Sequence, residues 1–511
     1  MKEKQPEIQE DLPEDLNVEI PAVETLGQSA KQAMLWSAGL TLFRDGLQFL
    51  QMLVLVRLLD PSVYGLAGYG YTLINFLGLI SFQHVVNHII QMRANQEVDY
   101  DQHFTFGVLL NGTLFLVTNV LALLLPYFGE YSHLQPIIHV LSLTFLLSVP
   151  GDLRQRMLER NHQWKYLRPL QMIAMLLTVV SGIIMALAGA GVYALILPAM
   201  SVGFVFTIDL FFIARWRPHW RWNKSDYRDA LSFGLNRAGS NALNGGRKLF
   251  ESTLITQYFQ FSSLGIFGRA EGLANMFCGR VAQQTLASLY PVITRAEPHS
   301  ERFQRIAGLV LRSVAWVIMP IAVFFALQAD NIIHVLYGQK WLAVVPLLPL
   351  AMAVAVAQSL GSSTYSLLLA NEERKLCLRS DMAAFVLGVC TIWLVVPFGM
   401  HTYLWAAIGV NVIIACVLVV LLVRSNGLNL KDFMHSIWSS ALSCAVAGGA
   451  MWAALHFIPL SPYRWLDGFI AGLVFGPLYL LALRLLFRSS LVQLLEYVPA
   501  RQFLARLLIL K

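Results

Sequence analysis

Charge is scarce in this chain. Lys, Arg, Asp and Glu make up 13% of its 511 residues, against about 25% in a soluble domain. With 57% hydrophobic residues, the shortfall excludes a string of soluble domains and predicts a single polytopic membrane body. Cysteine is also sparse. Cys278, Cys377, Cys390, Cys416 and Cys444 show no CxxC spacing, so they read as small apolar packing residues and not as a disulfide framework or a metal site. The chain has no GxxxxGKS phosphate loop, no dinucleotide glycine fingerprint and no nucleophile elbow. An ATP pump working alone is therefore not expected, and neither is a catalytic residue, a cofactor or a metal. His84 and His88 lie four apart, but no third ligand accompanies them, and a polar helix face explains them better. A cleavable signal is missing too: the first 30 residues carry eight acidic side chains and no apolar core, which predicts a solvated, disordered tail over 1–30.

Long apolar runs are plentiful. About fourteen segments are long enough to cross a bilayer, near 33–56, 66–91, 103–126, 134–157, 169–189, 192–213, 231–257, 264–292, 306–329, 341–370, 377–399, 403–423, 436–457 and 466–487. Basic residues gather in alternate loops, for example Arg154–Arg168, Arg215–Arg228, Arg295–Arg305 and Arg374–Arg379. By the positive-inside rule this puts both termini in the cytoplasm. The net charge of +7 is then a topology signal, and no nucleic-acid partner is expected. Trp164 and Tyr166, and the trio Trp216, Trp220 and Trp222, flank the basic loops as interfacial anchors. The loops at the charge-sparse end are short, which counts against an enzyme with a large external site. Asn111-Gly-Thr113 matches a glycosylation sequon but falls inside an apolar run and is expected to stay unmodified.

One polar pattern occurs twice, 200 positions apart. Ser37, Thr41, Arg44, Gln48 and Gln51 share one helix face by their spacing, and so do Arg237, Asn241, Asn244, Lys248 and Glu251. Gly39, Gly46, Gly65 and Gly68 recur as Gly239, Gly246, Gly265 and Gly268, and Gln83 recurs as Gln283. About six spans separate the copies, so both start on the same side, as in a parallel repeat. The expected architecture is all-α: two pseudo-symmetric six-helix lobes, 31–225 and 226–430, two further helices over 431–490, and an amphipathic cytoplasmic tail over 491–511.

The charges in these spans carry the functional expectation. At ~3 kcal/mol each, Arg237, Arg247, Lys248 and Glu251 oppose insertion by up to ~12 kcal/mol, while about eleven apolar neighbours return only ~5 kcal/mol. That helix must turn its stripe toward a wet cavity or toward partners in the bundle. Six cations (Arg44, Arg237, Arg247, Lys248, Arg269, Arg280) against Asp45, Glu251 and Glu271 leave three positive charges in excess. Such a cavity suits an anion, and arginine forks suit phosphate. The expected substrate site is Arg44, Gln48, Arg237, Asn241, Asn244, Arg247, Lys248, Arg269, Arg280 and Gln283. Asp45, Glu251 and Glu271 are candidates for ion coupling, and Asp209 is a weaker one. The structural alternative is that Arg247 neutralises Glu251, Arg280 snorkels and Glu271 pairs for stability.

Several stretches resemble the polysaccharide transporters of the Wzx-like branch of the multidrug/oligosaccharidyl-lipid/polysaccharide flippase superfamily. They are Val56-Arg-Leu-Leu-Asp-Pro-Ser-Val-Tyr-Gly-Leu66, Leu264-Gly-Ile-Phe-Gly-Arg-Ala270, Leu289-Tyr-Pro-Val-Ile-Thr-Arg295, and Leu336-Tyr-Gly-Gln-Lys-Trp341 followed by Pro346-Leu-Leu-Pro-Leu350. The resemblance spans about 30–430 and departs at the long acidic tail. It implies two six-helix lobes around a cavity. It also implies transfer of an undecaprenyl-diphosphate-linked oligosaccharide from the cytoplasmic to the periplasmic leaflet of a bacterial inner membrane, by alternating access. Arg44 and Arg269 occupy places similar to arginines used by related lipid II flippases. Membrane lipids and other polysaccharide-assembly proteins are the further partners implied, and a monomer is expected. Two rivals remain: a cation-coupled drug exporter of the same superfamily, and a membrane-embedded polysaccharide ligase or polymerase.

Overall fold

A computed structural model describes residues 43–92, 98–222, 224–293, 296–457 and 464–495; in the helix that begins at Lys224, side chains are described from Asn241 on. The acidic tail over 1–30 and the chain beyond 495 lie outside the described residues. The chain divides into two units, Met1–Met52 and Leu53–Lys511, and each is taken by itself. In the first, residues 43–52 are helical.

The described residues of the second unit form helices joined by turns and short loops, with no strand among them. Its long helices are α1 Pro61–Leu77, α2 Tyr100–Leu124, α3 Gln135–Arg160, α4 Trp164–Leu187, α5 Ser201–Ile208, α6 Lys224–Ala274, α7 Arg280–Ile293, α8 Glu301–Leu327, α9 Leu348–Ala370, α10 Arg374–Val395, α11 Met400–Arg424, α12 Leu430–Phe457 and α13 Arg464–Leu486. Among the described residues, eleven helical segments are long and apolar enough to span a bilayer. The expected spans 231–257 and 264–292, which carry charged side chains, are not in that set, and the expected span 33–56 lies partly outside the described residues. Large side chains such as Leu116, Val120, Ile184 and Trp393 stay more than half exposed, as lipid-facing residues do.

The repeat is visible in the backbone. Asp99 and Ser300 each cap a helix by accepting from the N–H three residues on, at 3.1 Å in both cases. His162 and Glu372 (φ 51° and 65°), and then Arg215 and Asn426 (φ 52° and 51°), take the same left-handed conformation at matching turns. The chain turns at Asp60 just before α1, and α6 breaks at the corresponding Gln260 (φ 66°, ψ 172°) into two arms. The two copies meet at their equivalent glycines. A Cβ on Gly65 would overlap the Phe261 carbonyl, and a Cβ on Gly265 would overlap the Pro61 carbonyl. These contacts exchange under the offset of 200, so a local two-fold relation passes between α1 and the second arm of α6. Only glycine permits such backbone contact.

Asn111 is fully buried. It accepts from the Phe82 N–H (2.8 Å) and donates to the Phe145 carbonyl and the Ser148 hydroxyl (2.9 Å each). A sequon in that position is sealed from glycosylation, as expected.

The helix α12 docks on α8 through a serine stripe. Ser436, Ser439, Ser440 and Ser443 are all buried. Trp316 Nε1 donates to Ser439 Oγ (2.8 Å), Ser440 Oγ donates to the Ala315 carbonyl (3.2 Å), and Tyr479 of α13 donates to the Trp316 carbonyl (2.9 Å). Small polar residues serve membrane helix packing because lipid offers their hydroxyls nothing. Trp316→Phe is expected to cost about 0.5–1.5 kcal/mol in thermal unfolding. A null effect would show that the Trp316–Ser439 bond contributes nothing to docking.

Candidate functional site

The first arm of α6 carries charges into an apolar bundle, and partners from α6 itself and from α11 meet them. Lys248 Nζ lies 2.8 Å from Glu251 Oε2 and 2.6 Å from Glu271 Oε2, and 5.2 Å from the Phe267 ring centroid. Glu251, only 5% exposed, accepts on its other oxygen from the Tyr403 hydroxyl of α11. One helical turn sets Lys248 above Glu251, and the fold back at Gln260 brings Glu271 across to complete the cluster.

Arg247 points elsewhere. Its side chain runs along Gly388 of α10, where an added Cβ would stand 2.7 Å from Arg247 Cδ. It reaches a largely apolar chamber of about 430 Å³ whose polar lining includes Asn244, Gln358, Tyr365, Asp381 and Asn411. A second, small cavity of about 40 Å³ joins Arg247 to Glu251, Glu271 and Tyr403. In the chamber wall, the Tyr365 hydroxyl donates to Asp381 Oδ2 at 2.9 Å.

Arg269 leaves the same helix on another side. Its guanidinium lies 4.4 Å from the Tyr64 ring centroid of α1, and its buried Nε has no hydrogen-bond partner among the described residues. Arg280, Gln283, Asn241 and Asn244 are exposed. In the first unit Arg44 pairs with Asp45 at 3.2 Å, with Arg44 55% exposed, and Gln48 is exposed. The side chain of Arg237 lies outside those described.

The expected stripe therefore resolves into separate settings. Lys248 is not a spare cation: two carboxylates hold it, and with Arg247 the local charge cancels. Arg269 does not share its neighbours. Asp209 is wholly buried and accepts from Arg154 Nε at 2.5 Å and from the Tyr166 hydroxyl, so it ties α3, α4 and the end of the 193–213 span together. Sequence reasoning missed Tyr403, Asp381 and Tyr365. Near helix ends, tyrosine reads as an interfacial anchor. Asp381, seven residues after Arg374, reads as part of a basic loop.

With this geometry in hand, comparison with known proteins is decisive for the family. A family described as polysaccharide biosynthesis protein matches residues 54–346, more than half of the chain. This chain belongs to that family. A relative from Klebsiella pneumoniae, an uncharacterized membrane protein in the cps region, is 21% identical over 370 residues, which cover 70% of this chain and 76% of that one. The lipopolysaccharide biosynthesis protein WzxC of Escherichia coli (strain K12) is 22% identical over 346 residues, 66% of this chain and 68% of that one. Among solved structures, the lipid II flippase MurJ in an inward closed conformation superposes with a TM-score of 0.68 at 13% identity, covering 90% of this chain and all of that one. The resemblance read from the loop motifs and the all-helical fold of a Wzx-like flippase are thereby borne out. Two of those motifs, around Tyr64 and around Trp341, turn out to touch: the rings lie 5.3 Å apart, edge to face. In this polysaccharide biosynthesis family protein, the stretches that carry the family resemblance thus also build the contact between the two copies.

Proposed function

We propose that this protein is a flippase for an undecaprenyl-diphosphate-linked oligosaccharide. It carries the headgroup from the cytoplasmic to the periplasmic leaflet of a bacterial inner membrane by rocking its two lobes, 31–225 and 226–430, with both termini cytoplasmic. The observation that carries this reading is Arg269, a half-buried arginine whose enclosed Nε–H has no hydrogen-bond partner among the described residues, in a polysaccharide biosynthesis family protein. An anion is the partner such a donor lacks, and a diphosphate matches its fork. In the first unit Arg44, 3.2 Å from its half-buried neighbour Asp45, is a further candidate for phosphate in this proposal. Asn241, Asn244, Gln48 and Gln283, all exposed, meet sugar hydroxyls.

Lys248, Glu251 and Glu271 have a different role in this reading. With Arg247 beside them their charges cancel, and in this reading they form the coupling element. A cation or proton that takes Glu251 or Glu271 from Lys248 frees the lysine and changes how the arms of α6 pack. Asp45 remains a candidate for the same role in the first unit.

The test is translocation of a labelled lipid-linked sugar in proteoliposomes. Arg269→Ala and Arg44→Ala are each expected to slow it about tenfold to a hundredfold, the loss of one charged hydrogen bond of ~1.5–3 kcal/mol. Unchanged rates in both variants would overturn the assigned diphosphate site. Cells without the protein are expected to hold lipid-linked repeat units on the cytoplasmic leaflet. A ligase or polymerase would leave them outside.

A further inference from the structure

The two copies differ in length mainly at one place. The offset is 201 between the caps Asp99 and Ser300, but 210 between the turns at His162 and Glu372. Most of the growth falls between α8 and α9. There, residues 328–347 replace the ten-residue turn 125–134 of the first copy with a segment twice as long. The added chain forms a short helix, Ala329–Leu336, then a tight turn at Gly338 (φ 84°) and a 3-10 turn over Gln339–Val344.

This segment reaches across to the first copy at the charge-sparse end. Trp341, fully buried, donates its indole N–H to the Val56 carbonyl at 2.7 Å. Arg57 reaches the other way: its Nε donates to the Leu336 carbonyl at 3.3 Å and its terminal nitrogen to the Val335 carbonyl. Each side chain thus caps the carbonyl end of the other copy's helix, where backbone acceptors have no partner within the helix. Lys340 pairs with Asp60 at 2.8 Å, but both are more than half exposed, so that pair adds little. Tyr64 and Tyr337 pack edge-on against Trp341 at 5.3 and 5.8 Å. The Tyr337 hydroxyl is buried with no hydrogen-bond partner among the described residues, and burial raises its pKa. An unmet buried hydroxyl weakens the closed arrangement, so the contact is built to release.

Resting on the alternating-access reading above, we propose that residues 328–347 are a clasp: Trp341 and Arg57 hold the charge-sparse mouth shut by reciprocal helix capping, and the clasp must open before substrate can leave there. The clasp acts only in the second copy, because the short turn 125–134 has no equivalent of the Ala329–Leu336 helix. On the first copy's side, Tyr131 packs its ring against those of Tyr69 (5.7 Å) and Phe261 (6.1 Å).

Two measurements on the full chain, with its five native cysteines replaced by alanine, test this. In the first, spin labels go on Tyr127→Cys and Phe398→Cys, exposed positions at the same end of the two copies, and their separation is read in lipid without substrate. The parent is expected to show mainly the short distance, and Trp341→Phe and Arg57→Gln to add a longer one several-fold more populated. In the second, the Asp60→Cys/Lys340→Cys pair is bridged by a short reducible bifunctional thiol reagent. Bridging is expected to stop translocation of the labelled lipid-linked sugar, and reductant to restore it. An unchanged distance distribution in both single variants overturns the clasp, and so does undiminished translocation by the bridged protein. If the distances shift as expected but the parent moves no lipid-linked sugar, the clasp is supported and the flippase reading is the one that fails.

Discussion

Replacing Lys248 with methionine is expected to lower the stability of the protein by about 3 kcal/mol, near the lower end of the cost of breaking a buried ion pair. The variant leaves Glu251 and Glu271 as two carboxylates with no lysine between them. Glu251 is almost wholly enclosed, while Lys248 and Glu271 retain about a third of their exposure, which is why the lower end applies. Thermal unfolding in detergent reads the effect. The double variant Lys248→Met/Glu251→Gln removes one charge of each sign and is expected to recover much of the loss, so the two changes are non-additive. Lys248→Arg keeps the charge but not the compact ammonium, and is expected to fall between them. If Lys248→Met unfolded at the parent temperature, the cluster would not be holding the arms of α6 together, and the coupling role assigned to it would go as well.

Gly65→Ala and Gly265→Ala should each cut translocation more than any other conservative change in the first two helices of either copy. Their added methyls collide with main-chain oxygens of the facing helix, which cannot rotate away as a side chain would. Overpacking costs ~1–3 kcal/mol when neighbours give a little, and more when they cannot. The closed mouth bears that cost, so a fall of at least tenfold is expected, in either copy alike. The control is one turn further on: Gly68 and Gly268 have nothing within 4 Å of an added Cβ, and alanine there is expected to leave transport unchanged. Equal effects at all four positions would mean that helix propensity, not backbone approach, governs these glycines.

Much of the architecture is legible in the sequence. The offset of 200 comes from counting and survives in the exchanged glycine contact, while the paired caps and left-handed turns repeat at the slightly larger offsets of 201 to 211. Apolar length and the basic loops give the spans. The charged residues of α6 and α7 set those helices apart from the eleven apolar segments among the described residues. The direction of each charge was not legible. Helical spacing places Arg247, Lys248 and Glu251 within one turn, yet Arg247 enters a chamber against Gly388 while Lys248 turns to Glu271. That choice depends on the break at Gln260 and on where α10 and α11 pack, which no local pattern encodes. Arg247–Glu251, a natural helical pair by spacing, yields to Lys248–Glu251 at three residues. Counting charges gave their sum, Glu271 included, but not their grouping: Lys248 sits between Glu251 and Glu271, while Arg269 lies against the Tyr64 ring.

Residues 328–347 also change what the duplication can still do. A gene fusion of two first halves would build two short turns at the charge-sparse end, neither long enough to reach its neighbour. Two second halves would set a pair of long loops competing for one gap. The halves have become non-exchangeable parts, like the two leaves of a hinge of which only one carries the hook. Swapping them is expected to fail even where each folds.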